Sequence, residues 1–283
     1  MNDVVNVVGI SGGKDSTATA LYYIENMEET PHFVFCDTGI EAPATYEYIE
    51  YLSEKLKELS GVGIETIKAD FTERMAKKSA KLEAKGEQIR VEALVPTGNP
   101  FLDLCLWKGR FPSARARFCT QELKLEPVKK YISALMAERN DVVSWSGERA
   151  EESLARSKKP VKEVLMKTDE ATAYTYRPIL RWTEQMCFDM LKRHGVEPNP
   201  LYTKGFNRVG CFPCVMCRKG EIKLISDLYP EVFERLESWE PLVAAASRQQ
   251  AASFFAWECG RKTIQDYIEW SHTPFGYRRK KEQ

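Results

Sequence analysis

One stretch near the start most constrains this 283-residue chain: an apolar run over 4–10 passes through Ser11-Gly12-Gly13-Lys14-Asp15-Ser16 into a helical pattern beginning near Thr17. A strand, a glycine turn and a helix make one βα unit, and this turn is suited to an anion. Glycine lets the backbone reach positive φ and turn its N–H groups inward, while the N-terminal N–H groups and positive dipole end of the helix attract phosphate. Lys14 adds a charge, and Ser11 and Ser16 add hydroxyl donors. The spacing differs from the common P-loop, which puts four residues between its glycines and a lysine beside the second.

Further βα units follow. Residues 32–36 read as a second buried strand ended by Asp37-Thr38-Gly39, then a helix over 44–59 and a short strand over 64–68. Strands alternating with helices imply a parallel twisted sheet with helices on both faces, an α/β fold, whose ligands lie beyond the carboxyl ends of the strands. Ser11 and Asp37 both fall there. Asp37 and Thr38 therefore either touch a nucleotide or its magnesium, or simply end a strand with turn chemistry. Residues 72–118 read as a lid-like insertion: a basic amphipathic segment with Lys77, Lys78, Lys81, Lys85 and Arg90, then a loop opened by Pro96, Gly98 and Pro100. Its charges, continued by Lys108, Arg110, Arg115 and Arg117, suit either a polyanion or a solvated helix face.

A helix is expected from about 117 to 139, then a strand over 142–145 running into Gly147. Arg149, Ser153 and Arg156 recur at helical spacing beyond it. These arginines either capture phosphate or sulfate in bidentate fashion or pair with Glu151 and Glu152. From Glu221 onward the pattern reads as helices over 222–239, 241–259 and 263–270.

Bulk properties narrow the class. Lys and Arg number 41 and Asp and Glu 41, so no global field announces nucleic acid or membrane. The N-terminus lacks a charged-then-apolar leader pattern and no run approaches the ~18 apolar residues of a membrane span, so the expected compartment is cytoplasmic. Eight cysteines in a reducing compartment, three of them at Cys211, Cys214 and Cys217, look unlike a disulfide framework. The C-x2-C-x2-C spacing suits an iron–sulfur cluster or zinc; Cys36, Cys105 and Cys187 lie in apolar runs that suit core packing.

Five stretches, in order, resemble the phosphoadenylyl-sulfate reductase family and its sulfurtransferase relatives. They are the loop 11–16, which has the S-G-G-x-D-S form of enzymes cleaving ATP between its α and β phosphates; 37–43; 119–127; 145–156; and 177–183 leading to Asn199-Pro200-Leu201-Tyr202 and Gly210-Cys211. The resemblance covers residues 1 to about 220. It implies an adenine-nucleotide-binding α/β domain over 1–210, followed over 211–283 by a cysteine loop and a helical C-terminal region. It makes Lys14, Asp15 and Arg149 candidate catalytic residues. Candidate nucleotide contacts are Ser11, Gly12, Gly13, Lys14, Asp15, Ser16, Asp37, Thr38, Gly147, Arg149 and Arg156. The family carries a cysteine pair near Cys119 and a C-x-x-C at Cys211 and Cys214, which hold a [4Fe–4S] cluster in some members. Here Phe118 replaces the first of the pair, so Cys217 is the expected substitute, and Cys119, Cys211, Cys214 and Cys217 are the candidate metal ligands, with zinc the rival.

The implied cofactors are ATP, Mg2+ and that cluster; the implied partners are an adenine nucleotide, a sulfur donor and an acceptor, with nucleic acid one candidate. Three activities follow from the resemblance and the residues. The first is an ATP-cleaving sulfurtransferase. The second is a phosphoadenylyl-sulfate or adenylyl-sulfate reductase using Cys259, since Glu258-Cys259-Gly260 resembles the reductase tail. The third is a nucleotide-binding module without turnover, for which the basic end 278–281 and the segment 77–117 are the particular support. The intact loop favours the first, because reductases generally modify a loop that cradles no pyrophosphate.

Overall fold

A computed structural model describes residues 4–138, 140–255 and 261–274. Cys259 and the basic end 278–281 lie outside them. In chain order the elements are β1 (Val4–Ile10), α1 (Lys14–Asn26), β2 (His32–Asp37), α2 (Pro43–Ser60), β3 (Ile64–Lys68), α3 (Thr72–Glu83), α4 (Gln88–Glu92) and α5 (Pro100–Lys108). Then come α6 (Phe118–Thr120), a π-helical turn Gln121–Leu125, α7 (Glu126–Ala137), β4 (Asp141–Trp145), a 3-10 turn Ala150–Glu152, α8 (Leu154–Ser157), β5 (Lys162–Lys167) and β6 (Thr172–Tyr176). The last are α9 (Glu184–Arg193), α10 (Lys219–Leu228), α11 (Pro230–Ala246) and α12 (Ile264–Ser271). No described helix is long and apolar enough to cross a membrane.

The chain forms two compact units: Met1–Asp37, Glu41–Lys68 and Leu125–Gly210 make the first, and Thr38–Ile40, Ala69–Lys124 and Cys211–Gln283 the second. In the first unit the six strands run in the order β3-β2-β1-β4-β6-β5. β1 pairs in parallel with β2 on one side and β4 on the other, and only β5 is antiparallel. Alternate residues of β1 serve opposite faces. Val8 packs with Phe33, Phe35 and Trp145 against α1, α2 and α9, while Val7 packs with Val34 and Val142 against Ile132 and Met136 of α7. Helices thus cover both faces, which is why the central strands read as unbroken apolar runs. Since the chain leaves β1 toward β2 on one side and returns as β4 on the other, the space beyond the ends of β1 and β4 is the topological switch point, where open α/β sheets take ligands.

The second unit is mainly helical. Phe101 of α5 lies among Phe111, Trp239 and Phe254, with ring centroids 6.5, 6.1 and 6.2 Å away. The expected single helix over 222–239 is two, because Pro230 occupies the first position of α11, where its missing N–H costs nothing. Pro241, expected to open a helix, lies inside α11.

Candidate functional site

The loop after β1 is shorter than its sequence suggests. Gly13 is the N-cap of α1, so Lys14, Asp15 and Ser16 form the first helical turn. Gly12 adopts φ +73°, which favours glycine, and a Cβ there would lie 3.0 Å from Thr45 Cγ2, which would have to give way. The Ser11 amide donates to Ser16 Oγ at 3.0 Å, and that hydroxyl donates to Gly13 O at 3.0 Å. Buried Asn199 donates to Gly12 O at 3.1 Å, and the Lys14 amide donates to the Tyr202 hydroxyl at 3.0 Å. The loop is thereby braced by the segment beyond α9 before any ligand arrives.

Gly147, just past β4, is the second close approach. A Cβ on it would lie 2.8 Å from both Asp15 O and Ser16 N, so the β4 turn lies against the backbone of the first turn of α1. This brings Arg149 to Asp15: its Nε donates to Oδ1 at 2.5 Å and its Nη1 to Glu151 at 2.7 Å. Burial works against the Arg149 charge, yet the Asp15 carboxylate more than offsets it and the pKa is raised. Lys14 is only 5% exposed, with Nζ 3.1 Å from Glu184 and 3.7 Å from Asp15. Its ammonium lies over the Tyr202 and Phe188 rings at 5.0 and 5.9 Å. Cys187, wholly buried, lies near Asp15, and burial followed by that carboxylate pushes its thiol up to about 12.

The structure therefore brings together Ser11, Gly12, Gly13, Lys14, Asp15, Ser16, Gly147 and Arg149. Arg156 is elsewhere engaged, ion-paired with Glu152. Asp37 ends β2 and accepts from the Tyr46 hydroxyl at 2.8 Å. Thr38 is fully buried and begins the portion of chain assigned to the second unit. Sequence reasoning gave no role to Glu184 or Phe188, and gave Cys187 only core packing. Thr183, whose hydroxyl caps α9, was the available signal that Glu184 opens a helix.

In the second unit, burial and then nearby Cys214 raise the Cys119 thiol. Buried Cys105 is also raised, by burial first and then by Cys119. The Cys217 amide donates to Cys214 O at 2.8 Å, and the Met216 amide to Cys214 Sγ at 3.5 Å. Among the described residues no group of three or more His, Cys, Asp or Glu is arranged to hold a metal ion.

Known proteins place the chain. It is 42% identical over 271 residues to an uncharacterised 37.8 kDa protein of Escherichia phage 186, covering 89% of this chain and 79% of that protein. It is 32% identical over 109 residues to the adenosine 5'-phosphosulfate reductase of Allochromatium vinosum, covering 38% of each. A phosphoadenylyl-sulfate reductase structure from Candida auris, a phosphate complex, superposes with TM-score 0.46 and 16% identity, covering 76% of this chain and 83% of that one. Residues 5–217 match the model of the phosphoadenosine phosphosulfate reductase domain, and the chain belongs to that family.

Proposed function

We propose that the chain is an enzyme that binds ATP at the Ser11–Ser16 loop and cleaves it to AMP and pyrophosphate to activate an acceptor for sulfur transfer. The observation that carries this reading is the complete Ser-Gly-Gly-Lys-Asp-Ser loop on the first turn of α1, beyond β1 at the switch point of the sheet. An acceptor oxygen attacks the α phosphorus, and the bond from that phosphorus to the αβ-bridging oxygen breaks. The electron pair leaves with pyrophosphate. A sulfur nucleophile then displaces AMP from the activated acceptor. Such chemistry rests on positioning and charge stabilisation more than on a base. Lys14 and the first-turn N–H groups hold the departing pyrophosphate. Arg149 fixes Asp15, whose carboxylate is the residue suited to Mg2+ when the nucleotide brings it.

A second reading has a specific support: relatives named adenosine 5'-phosphosulfate reductases share part of the chain at low identity. It makes the substrate a sulfonucleotide and Cys259 the thiolate that takes its sulfur. Calorimetry with Mg2+ present decides between them. Tighter binding of ATP than of adenylyl sulfate or phosphoadenylyl sulfate is expected, and the reverse order would establish the sulfonucleotide reading. The same anaerobic preparation, assayed for iron and zinc beside a Cys211→Ser variant, tests the cluster proposed from the cysteine spacing: iron in the first and not the second is expected.

A further inference from the structure

The charges around the loop are already neutralised inside the first unit, and they form a closed circuit. Lys14 faces Asp15 and Glu184; Asp15 takes Arg149; Arg149 takes Glu151; and Glu151 accepts the backbone N–H of Glu184 at 3.3 Å. A phosphate entering the cradle must therefore take Lys14 from a carboxylate. We infer that Glu184 is that carboxylate: a releasable counter-ion whose hold on Lys14 sets how tightly the loop takes a phosphate chain. The inference rests on the nucleotide-binding reading above.

The two carboxylates on Lys14 differ in what leaving would cost. Asp15 belongs to the loop, is 18% exposed, and is tied to Arg149 at 2.5 Å. Withdrawing it would strand a buried guanidinium, and breaking a buried pair is strongly unfavourable. Glu184 is 55% exposed and stands at the first position of α9, whose backbone is held by the Thr183 cap and by Glu151. Its side chain can turn into water while its backbone stays. Half-exposed ion pairs have small net strength, so the release costs little.

Lys14 itself need not move. The Tyr202 hydroxyl accepts the Lys14 amide, and the Tyr202 ring lies under the ammonium, with Phe188 beside it. These contacts persist when Glu184 leaves, so the ammonium stays in place and exchanges one anion for another. The exchange grades ligands by charge. Pyrophosphate and the polyphosphate of ATP outcompete Glu184 more readily than a single phosphate or sulfate, because Coulomb attraction scales with ligand charge.

The test is calorimetric titration of the full chain with inorganic pyrophosphate, then ATP, in wild type and Glu184→Gln. With the carboxylate neutralised, dissociation constants for both ligands are expected to fall about two- to fivefold, the scale of one half-exposed pair. Glu184→Ala serves the same purpose should Gln perturb α9, and the urea midpoint reports folding in each. Glu184 acting only as a surface anchor for α9 would lower the midpoint and leave affinity unchanged. Wild-type binding with no tightening in either variant overturns the counter-ion inference and leaves the nucleotide reading intact. Binding of neither ligand to wild type overturns both.

Discussion

At the residue scale, two glycines and one ring of charges decide the site. Gly12 is required by its positive φ, whereas Gly147 is required by space alone, since an added methyl would meet backbone atoms of Asp15 and Ser16 at 2.8 Å. Backbone cannot step aside as a side-chain end can. Gly147→Ala is therefore expected to cost about 1–3 kcal/mol of stability, the range for overpacking a close contact. It should also weaken ATP binding, because the first turn of α1 must shift. Urea denaturation gives the first effect and calorimetry the second; an unchanged urea midpoint would mean the β4 turn yields freely. The residue types at the site were legible in the sequence, as the loop and Gly147-Glu148-Arg149 were. Their partners were not, because they lie far off in the chain: Arg149 is 134 residues from Asp15, and Tyr202 is 188 from Lys14. No local pattern carries a pairing set by the sheet order.

At the element scale, β1 and β2 announced themselves as apolar runs because helices cover both of their faces. β5 and β6 did not. β5 is one of the two edge strands, Lys-Glu-Val-Leu-Met-Lys, with its first three residues exposed, so it carries charges that break the pattern. The first turn of α1 was read as loop because Lys, Asp and Ser are turn-like residues, though a helix N-terminus accepts Asp and Ser equally well. In the second unit, α3 and α5 are joined by Lys78, whose ammonium donates to the carbonyls of Trp107 at 2.5 Å and Leu106 at 3.5 Å, the C-terminal end of α5. A cation there complements the helix dipole. Burial, and secondarily Arg90, lowers its pKa to about 8. Between that value and the ordinary lysine value near 10.4 the folded chain has released a proton that the unfolded chain keeps, so this group makes stability rise with pH across the window. The side chain is half solvated, so the gain is about 1 kcal/mol at most. Lys78→Met keeps the stem and removes the charge. The difference in urea midpoint between wild type and variant is expected to be flat below pH 8 and to change up to about pH 10; a flat difference throughout would place Lys78 in water.

For the whole molecule, a net charge of zero leaves binding to be set by local geometry, and a ligand that prefers the folded state stabilises it by mass action. Every residue of the loop and its charge ring lies in the first unit, whereas Cys119, Cys211, Cys214 and Cys217 lie in the second. Nucleotide binding therefore leaves its signature in the first unit. MgATP at a hundred times its dissociation constant is expected to add about 2.7 kcal/mol to stability. Hydrogen exchange resolved by segment should show that protection in β1, the first turn of α1 and the Gly147 turn, and faster exchange at the start of α9, where Glu184 gives up Lys14. Adenylyl sulfate, carrying no pyrophosphate to exchange for Glu184, is expected to protect β1 and the Gly147 turn while leaving the start of α9 as in the unliganded chain. If adenylyl sulfate instead speeds exchange at α9 as strongly as ATP at equal saturation, the loop is not reading the phosphate chain, and the sulfonucleotide becomes the better substrate assignment.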